Sequence, residues 1–182
     1  AASTDTAIIP HPTVAYVSPD ATGSLSFMPV YNAFGTATVV VTLTDGISAT
    51  VRSFQVTVTP VNDAPTLDPP YDMALHEDPG QQTAFLSGIG MGAPNEGQTI
   101  SVSAVSGDPT LVPTPTVSYV SPDPMAMLEF VPMANAYGTT VISVTVSDGL
   151  SETLHTFQVN IESVNDAPTL FIEGLTPFGT IT

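Results

Sequence analysis

Asn62–Asp63 and Asn165–Asp166 stand in two copies of one heptad, Val-Asn-Asp-Ala-Pro-Thr-Leu, at 61–67 and 164–170. Each pair sets an amide oxygen beside a carboxylate, just ahead of a Pro that ends backbone pairing. A hard cation such as Ca²⁺ collects about six to eight such oxygens, which neighbouring loops can complete. Asn and Asp also cap turns through backbone hydrogen bonds, so the same pair can close a junction without any ion.

Other chemistry finds little support. His11, His76 and His155 have no zinc spacing and read as surface residues. Ser, His and Asp all occur, but no Gly-x-Ser-x-Gly elbow places a nucleophile. Glu77 and Asp78 are adjacent, and adjacent strand residues face opposite ways, which does not suit a glycosidase carboxylate pair. Cys and Lys are absent, removing thiolate metal sites, Schiff bases and P-loop phosphate binding. The chain is therefore expected not to be an enzyme.

Seventeen acids face a single base, Arg52, for a net charge of −16. That excludes a nucleic-acid backbone as partner, because such binding needs Lys and Arg to displace condensed counterions. It favours cations or a basic partner, and otherwise keeps Thr- and Val-rich strands in solution. No apolar run reaches the roughly 18 residues of a membrane-spanning helix, so no membrane insertion is expected. The first ten residues lack the layout of a signal peptide, so an export signal is expected outside this chain.

The elements that carry these residues repeat. Asp63 and Asp166 are 103 residues apart, and the same offset aligns PTVAYVSPD with PTVSYVSPD and FGTATVVVTLTDG with YGTTVISVTVSDG. It also aligns FQVTVTP (54–60) with FQVNIES (157–163). A period this long marks a domain array. Ala1 aligns with Ala104, so residues 1–65 form a first repeat without its opening strands and are expected to expose core. Residues 66–168 form a complete second repeat, and 169–182 begin a third or make a terminal strand.

Alternation in the complete copy predicts strands. Ile142, Val144 and Val146 share one face, as do Phe157, Val159 and Ile161, and Leu128 with Phe130. Val117 and Tyr119 point inward likewise. With MALHE, QTAFLSGI and QTISVSA this makes about seven strands separated by Pro, Gly and Asp turns; the repeated SPD segments (18–20, 121–123) read as turns. The expected fold is all-β, with tandem Greek-key β-sandwich domains of immunoglobulin-like architecture.

VNDAP, the preceding SDG loop, the early HED and the NAYGT segment together resemble the cadherin-like repeats of large bacterial surface and secreted proteins. The resemblance implies calcium at the junctions between repeats. Carried over, Asn62 and Asp63 would be linker ligands, with Asp148 of the SDG loop facing the same junction. Ser106 and Asp108 fall where cadherins place an Asp-x-Asp pair, the first acid being replaced. Glu77, Asp78, Asn165 and Asp166 would serve the next junction, and Asp45 would play the part of Asp148 one unit earlier. Two departures weaken the site: Asn135-Ala136-Tyr137 lacks an acid, and Pro60 and Ser163 replace the first linker Asp.

The sequence thus points to a non-catalytic structural segment of an extracellular adhesin or cell-surface stalk. Its partners would be neighbouring repeats of the same protein, with calcium stiffening the junctions. One alternative is a homo-polymeric filament whose neighbouring chains complete the first domain, with 169–182 taking part. Another is a carbohydrate- or protein-binding module, although the chain has no Trp.

Overall fold

The computed structural model describes residues 1–168; the expected start of a third repeat lies outside them. The first unit contains β1 (Ala2–Ser3), β2 (Thr13–Ala15), β3 (Ser24–Ser26), β4 (Gly35–Thr44) and β5 (Ala49–Val58). The second contains β6 (Met73–His76), β7 (Gln82–Leu86), β8 (Ser101–Ser106), β9 (Thr116–Ser118), β10 (Ala126–Phe130), β11 (Gly138–Ser147) and β12 (Glu152–Glu162). Among the described residues the regular elements are all strands.

The second unit is a β-sandwich. One sheet has the order β6-β12-β11-β8 and the other β7-β10-β9. The chain alternates between the sheets from β6 to β9, β9–β10 and β11–β12 pair within one sheet, and β6 pairs with β12 in parallel while the other pairings are antiparallel. This is the seven-strand connectivity of an immunoglobulin-like domain.

Period-two alternation decides which side chains enter the core. Ile142, Val144 and Val146 of β11 are buried, as are Phe157, Val159 and Ile161 of β12 and Leu128 and Phe130 of β10. They meet Leu67, Leu86, Ile89, Ile100 and Ala104 in one cluster. Val117 and Tyr119 pack against this core half-buried.

The hairpin turns follow from their sequences. At the end of β11 the Asp148 carboxylate accepts the amides of Leu150 (2.7 Å) and Ser151 (2.6 Å). Gly149 follows with φ of 87°, a left-handed value that favours glycine. The first unit repeats the device with Asp45, whose carboxylate accepts the amides of Ile47 (2.9 Å) and Ser48 (2.7 Å). The SPD segments are turns closed by Asp20 N to Val17 O and Asp123 N to Val120 O, both 2.9 Å.

The first unit has the same strands in the same register but fewer of them. Its sheet is β1-β4-β5, and β2 and β3 form a separate hairpin. Its buried apolar residues are Ile9, Ala37 and Val39. Val14, Tyr16, Phe27, Leu43 and Phe54 are exposed.

Candidate functional site at the junction of the two units

The segment after β5 enters the top of the second unit, where the β7–β8 and β11–β12 loops meet. Asn62 is the hub. Its Nδ2 donates to Asp148 Oδ2 (3.0 Å), to Ser151 Oγ (2.6 Å) and to the carbonyl of Asp63 (3.3 Å). Its Oδ1 accepts from Gln98 Nε2 at 2.7 Å. One amide side chain thereby ties the linker to both loops.

The neighbouring Asp63 is held through its backbone. Its amide donates to Glu96 Oε1 (2.8 Å), while Glu96 Oε2 takes the Ala93 amide at 3.5 Å. Gly92 makes this approach feasible: a Cβ there would lie 2.5 Å from the Ala64 carbonyl oxygen and 2.9 Å from Asp63 atoms. Its φ is 90°. Pro65, buried, accepts the Thr153 hydroxyl through its carbonyl. Beyond the linker, Asn95 Nδ2 donates to the carbonyl of Asn32 in the first unit. A cleft of about 630 Å³ opens there, lined by 29–34, 58–63, 95–98 and Leu150.

Asp148 is buried beneath the linker. Its carboxyl is held below the usual carboxylate range, first by the Ser151 amide and then by the Asn62 side chain, against the opposing effect of burial. Asp45 is lowered chiefly by the Ser48 and Ile47 amides, with no linker side chain taking part.

The structure groups the residues singled out from sequence into separate places. Asn62, Asp63 and Asp148 meet at this junction. Glu77, Asp78, Asn165 and Asp166 belong to the opposite end of the second unit. There Glu77 accepts the Val164 amide, Asp78 Oδ1 accepts the Asn135 amide (2.9 Å), and Asn165 Nδ2 reaches the Asp166 carbonyl (3.1 Å). Asp45 stands at the far end of the first unit, at the β4–β5 turn.

Asp108 does not reach Asp148. It follows β8, whose Ser106 pairs with Ile142, and its amide contacts Thr140 Oγ1 at 2.9 Å. Asp148 follows the other end of β11, roughly 25 Å away at 3.3 Å per residue. The Asp108 carboxylate instead caps its own turn on the hydroxyl (2.6 Å) and amide (2.9 Å) of Thr110, which lower its pKa.

Glu96 and Gln98 take the place assigned to Asp108 in sequence. The sequence does not single out either, because they have no counterpart at the 103-residue offset to mark them. Of the histidines, His11 accepts the Ser3 amide (3.0 Å), and exposed His76 lies 3.8 Å from Glu162. Among the described residues, no three His, Asp or Glu side chains converge as a metal-binding group.

No family model matches the chain, and no curated protein matches it. Solved structures align weakly. The titin domains Z1Z2 in complex with telethonin align over 86% of this chain and 74% of that one, at 12% identity and a TM-score of 0.45. Surface layer protein SbsC, domains 1–6, aligns over 99% of this chain at 18% identity and a TM-score of 0.41. The endo-fucoidan hydrolase MfFcnA4 aligns over 93% at 18% identity and a TM-score of 0.42. The chain spans 23% of each of the latter two.

Proposed function

We propose that this chain is a non-catalytic structural segment of an extracellular adhesin or cell-surface array, in which β-sandwich units are set end to end. The observation that carries the reading is Asn62: a linker amide that bonds two loops of the following unit at once. A linker held at both ends of a side chain transmits orientation, where a solvated one would not. The extracellular setting rests on the resemblance of the VNDAP linker and SDG loop to bacterial cadherin-like repeats. No helix among the described residues is long and apolar enough to cross a membrane.

Backbone ¹⁵N relaxation tests the joint. The linker residues 61–65 should be as ordered as β11, and Asn62→Ala should raise their fast-timescale mobility while β11 is unchanged. Equal mobility in both proteins would remove the structural role of the joint.

Calcium at this junction is a second reading, favoured by one observation. Gln98 Oε1 is buried among these groups without a hydrogen-bond partner, and an orphaned oxygen of this kind invites a cation. Asp148, Glu96, Asn62 and Gln98 are the residues that would hold the ion, which would supply charge neutralisation at the joint. Against it, both Asp148 oxygens already accept N–H donors. The same relaxation measurement with Ca²⁺ and with chelator separates the readings: further ordering of 92–98 with the ion supports it, and identical spectra remove it.

A further inference from the structure

The loop between β3 and β4 has the same build as the loop between β10 and β11. In the first unit the Ala33 amide closes a turn on the Val30 carbonyl (3.1 Å), and Asn32 takes a left-handed φ of 56°. In the second, Ala136 closes on Met133 (3.2 Å) and Asn135 has φ of 54°. Asn is one of the few residues that accept this conformation readily. Each turn delivers an aromatic ring to the surface: Phe34 is 43% exposed and its counterpart Tyr137 is 68%. The complete unit holds this ring in water too, so the exposure belongs to the loop and not to the core beneath it. The first unit adds Tyr31, 88% exposed, where the second has Ala134.

These two rings line the 630 Å³ cleft at the joint, with the linker and residues 95–98 of the second unit completing it. Its volume lies in the range of small-ligand sites, roughly 300–1,000 Å³. Asn62, Gln98 and Glu96 are already engaged in the joint. Three other lining groups are not: none of the described hydrogen bonds uses the Asn32 side chain, Asn95 Oδ1 or the Asp63 carboxylate. Amides both donate and accept, and a carboxylate accepts.

Rings beside planar amides and one acceptor suit a sugar. The C–H face of a pyranose packs on an aromatic ring, whose face is its negative side, while hydroxyls donate and accept at the edge. Charge narrows the class. The chain's single base, Arg52, does not line the cleft, and a net charge of −16 repels uronates and sulfated sugars. A basic peptide would find Asp63 alone, because Glu96 is held by the amides of Asp63 and Ala93.

We propose that the cleft between the units binds a neutral oligosaccharide, with Tyr31 and Phe34 stacking on sugar rings and Asn32, Asn95 and Asp63 bonding hydroxyls. The ligand touches both units, so its binding adds to the hold that Asn62 gives the joint. The site goes beyond the structural role and rests on the joint, because loops of both units build it.

The test titrates the ¹⁵N-labelled full chain with neutral tetrasaccharides of glucose, galactose, mannose and N-acetylglucosamine. Concentrations reach about 10 mM, since an open cleft gives weak affinity. At least one sugar should shift the amides of 31–34 and 95–98. Tyr31→Ala and Phe34→Ala should each weaken that binding by about fivefold or more, while Tyr137→Ala leaves it unchanged. No shift at 31–34 from any of these sugars overturns the site, as does equal binding of tetragalacturonate. A short Lys- and Arg-rich peptide that shifts these amides when the sugars do not overturns it in favour of a basic protein partner. Relaxation of 61–65 without sugar separates the failures. An ordered linker with no sugar shift removes the site alone, and a mobile linker removes joint and site together.

Discussion

At the residue scale the junction depends on an amide more than on its acids. Asn62 both donates and accepts across the joint, so Asn62→Ala leaves Gln98 Nε2 and Asp148 Oδ2 each short of a partner. The expected cost is about 1–3 kcal/mol in urea unfolding of the second unit, the penalty for stranded polar groups. Asn165→Ala, whose described bond is local to the Asp166 carbonyl, should cost less than half of that. Asp148 sets the acid response. Its folded pKa is lowered by Ser151 and Asn62, so its contribution is complete above the unfolded value of about 4 and is lost as pH falls through the lower folded value. Asp148→Asn should therefore flatten stability against pH below about pH 4, leaving the slope that Asp45 and Asp108 supply. An unchanged slope would show that the Asp148 carboxylate is not held by the joint. Sequence made Asn62, Asp63 and Asp148 legible because the repeat marks them twice. It missed Glu96 and Gln98, which occur in the one stretch without a copy, and it placed Asp108 by motif when strand direction decides which end a residue reaches.

At the element scale, alternation carried nearly all the information. β10, β11 and β12 bury the faces their period-two pattern predicts, since a one-residue slip would turn every apolar side chain to water. The parallel pairing of β6 with β12 was not legible, because it joins strands more than 80 residues apart and no local pattern encodes a partner. The same strand sequence also has different worth in the two units. Phe157→Ala should cost about 3–5 kcal/mol, as for a fully buried aromatic. Phe54→Ala, at the equivalent position but exposed, should cost no more than about 1 kcal/mol. Urea titrations read by fluorescence or exchange in each unit would check the pair, and similar costs would mean the first unit is covered in solution. Loops give a parallel contrast. Gly149 has φ of 87° with open space around it, so Gly149→Ala should cost roughly 1–2 kcal/mol for left-handed backbone alone. Gly92→Ala adds a collision with Ala64 O, and should cost about twice as much and release the Asp63–Glu96 bond.

At the scale of the whole molecule, the first unit's small buried cluster and the second unit's continuous core predict unequal stability within one chain. They also share a charge problem. A net charge of −16 sets like charges against one another throughout, and this repulsion weakens when salt shortens the Debye length to about 10 Å at 0.1 M. Any added salt should therefore stabilise the molecule, including CaCl₂ acting by screening alone. Calcium has to be judged against NaCl of matched ionic strength. If an ion sits among Asp148, Glu96, Asn62 and Gln98, millimolar Ca²⁺ should raise the melting temperature of the second unit beyond the NaCl control. At a hundred times its dissociation constant, an ion that binds only the folded form adds about 2.7 kcal/mol. Glu96→Gln should erase that excess while leaving the screening response intact, because it removes one charge of seventeen acids. Coincident curves for the two salts would leave the joint to its hydrogen bonds. In that case Asn62 closes the joint through its bonds to Asp148, Ser151 and Gln98 without help from an ion.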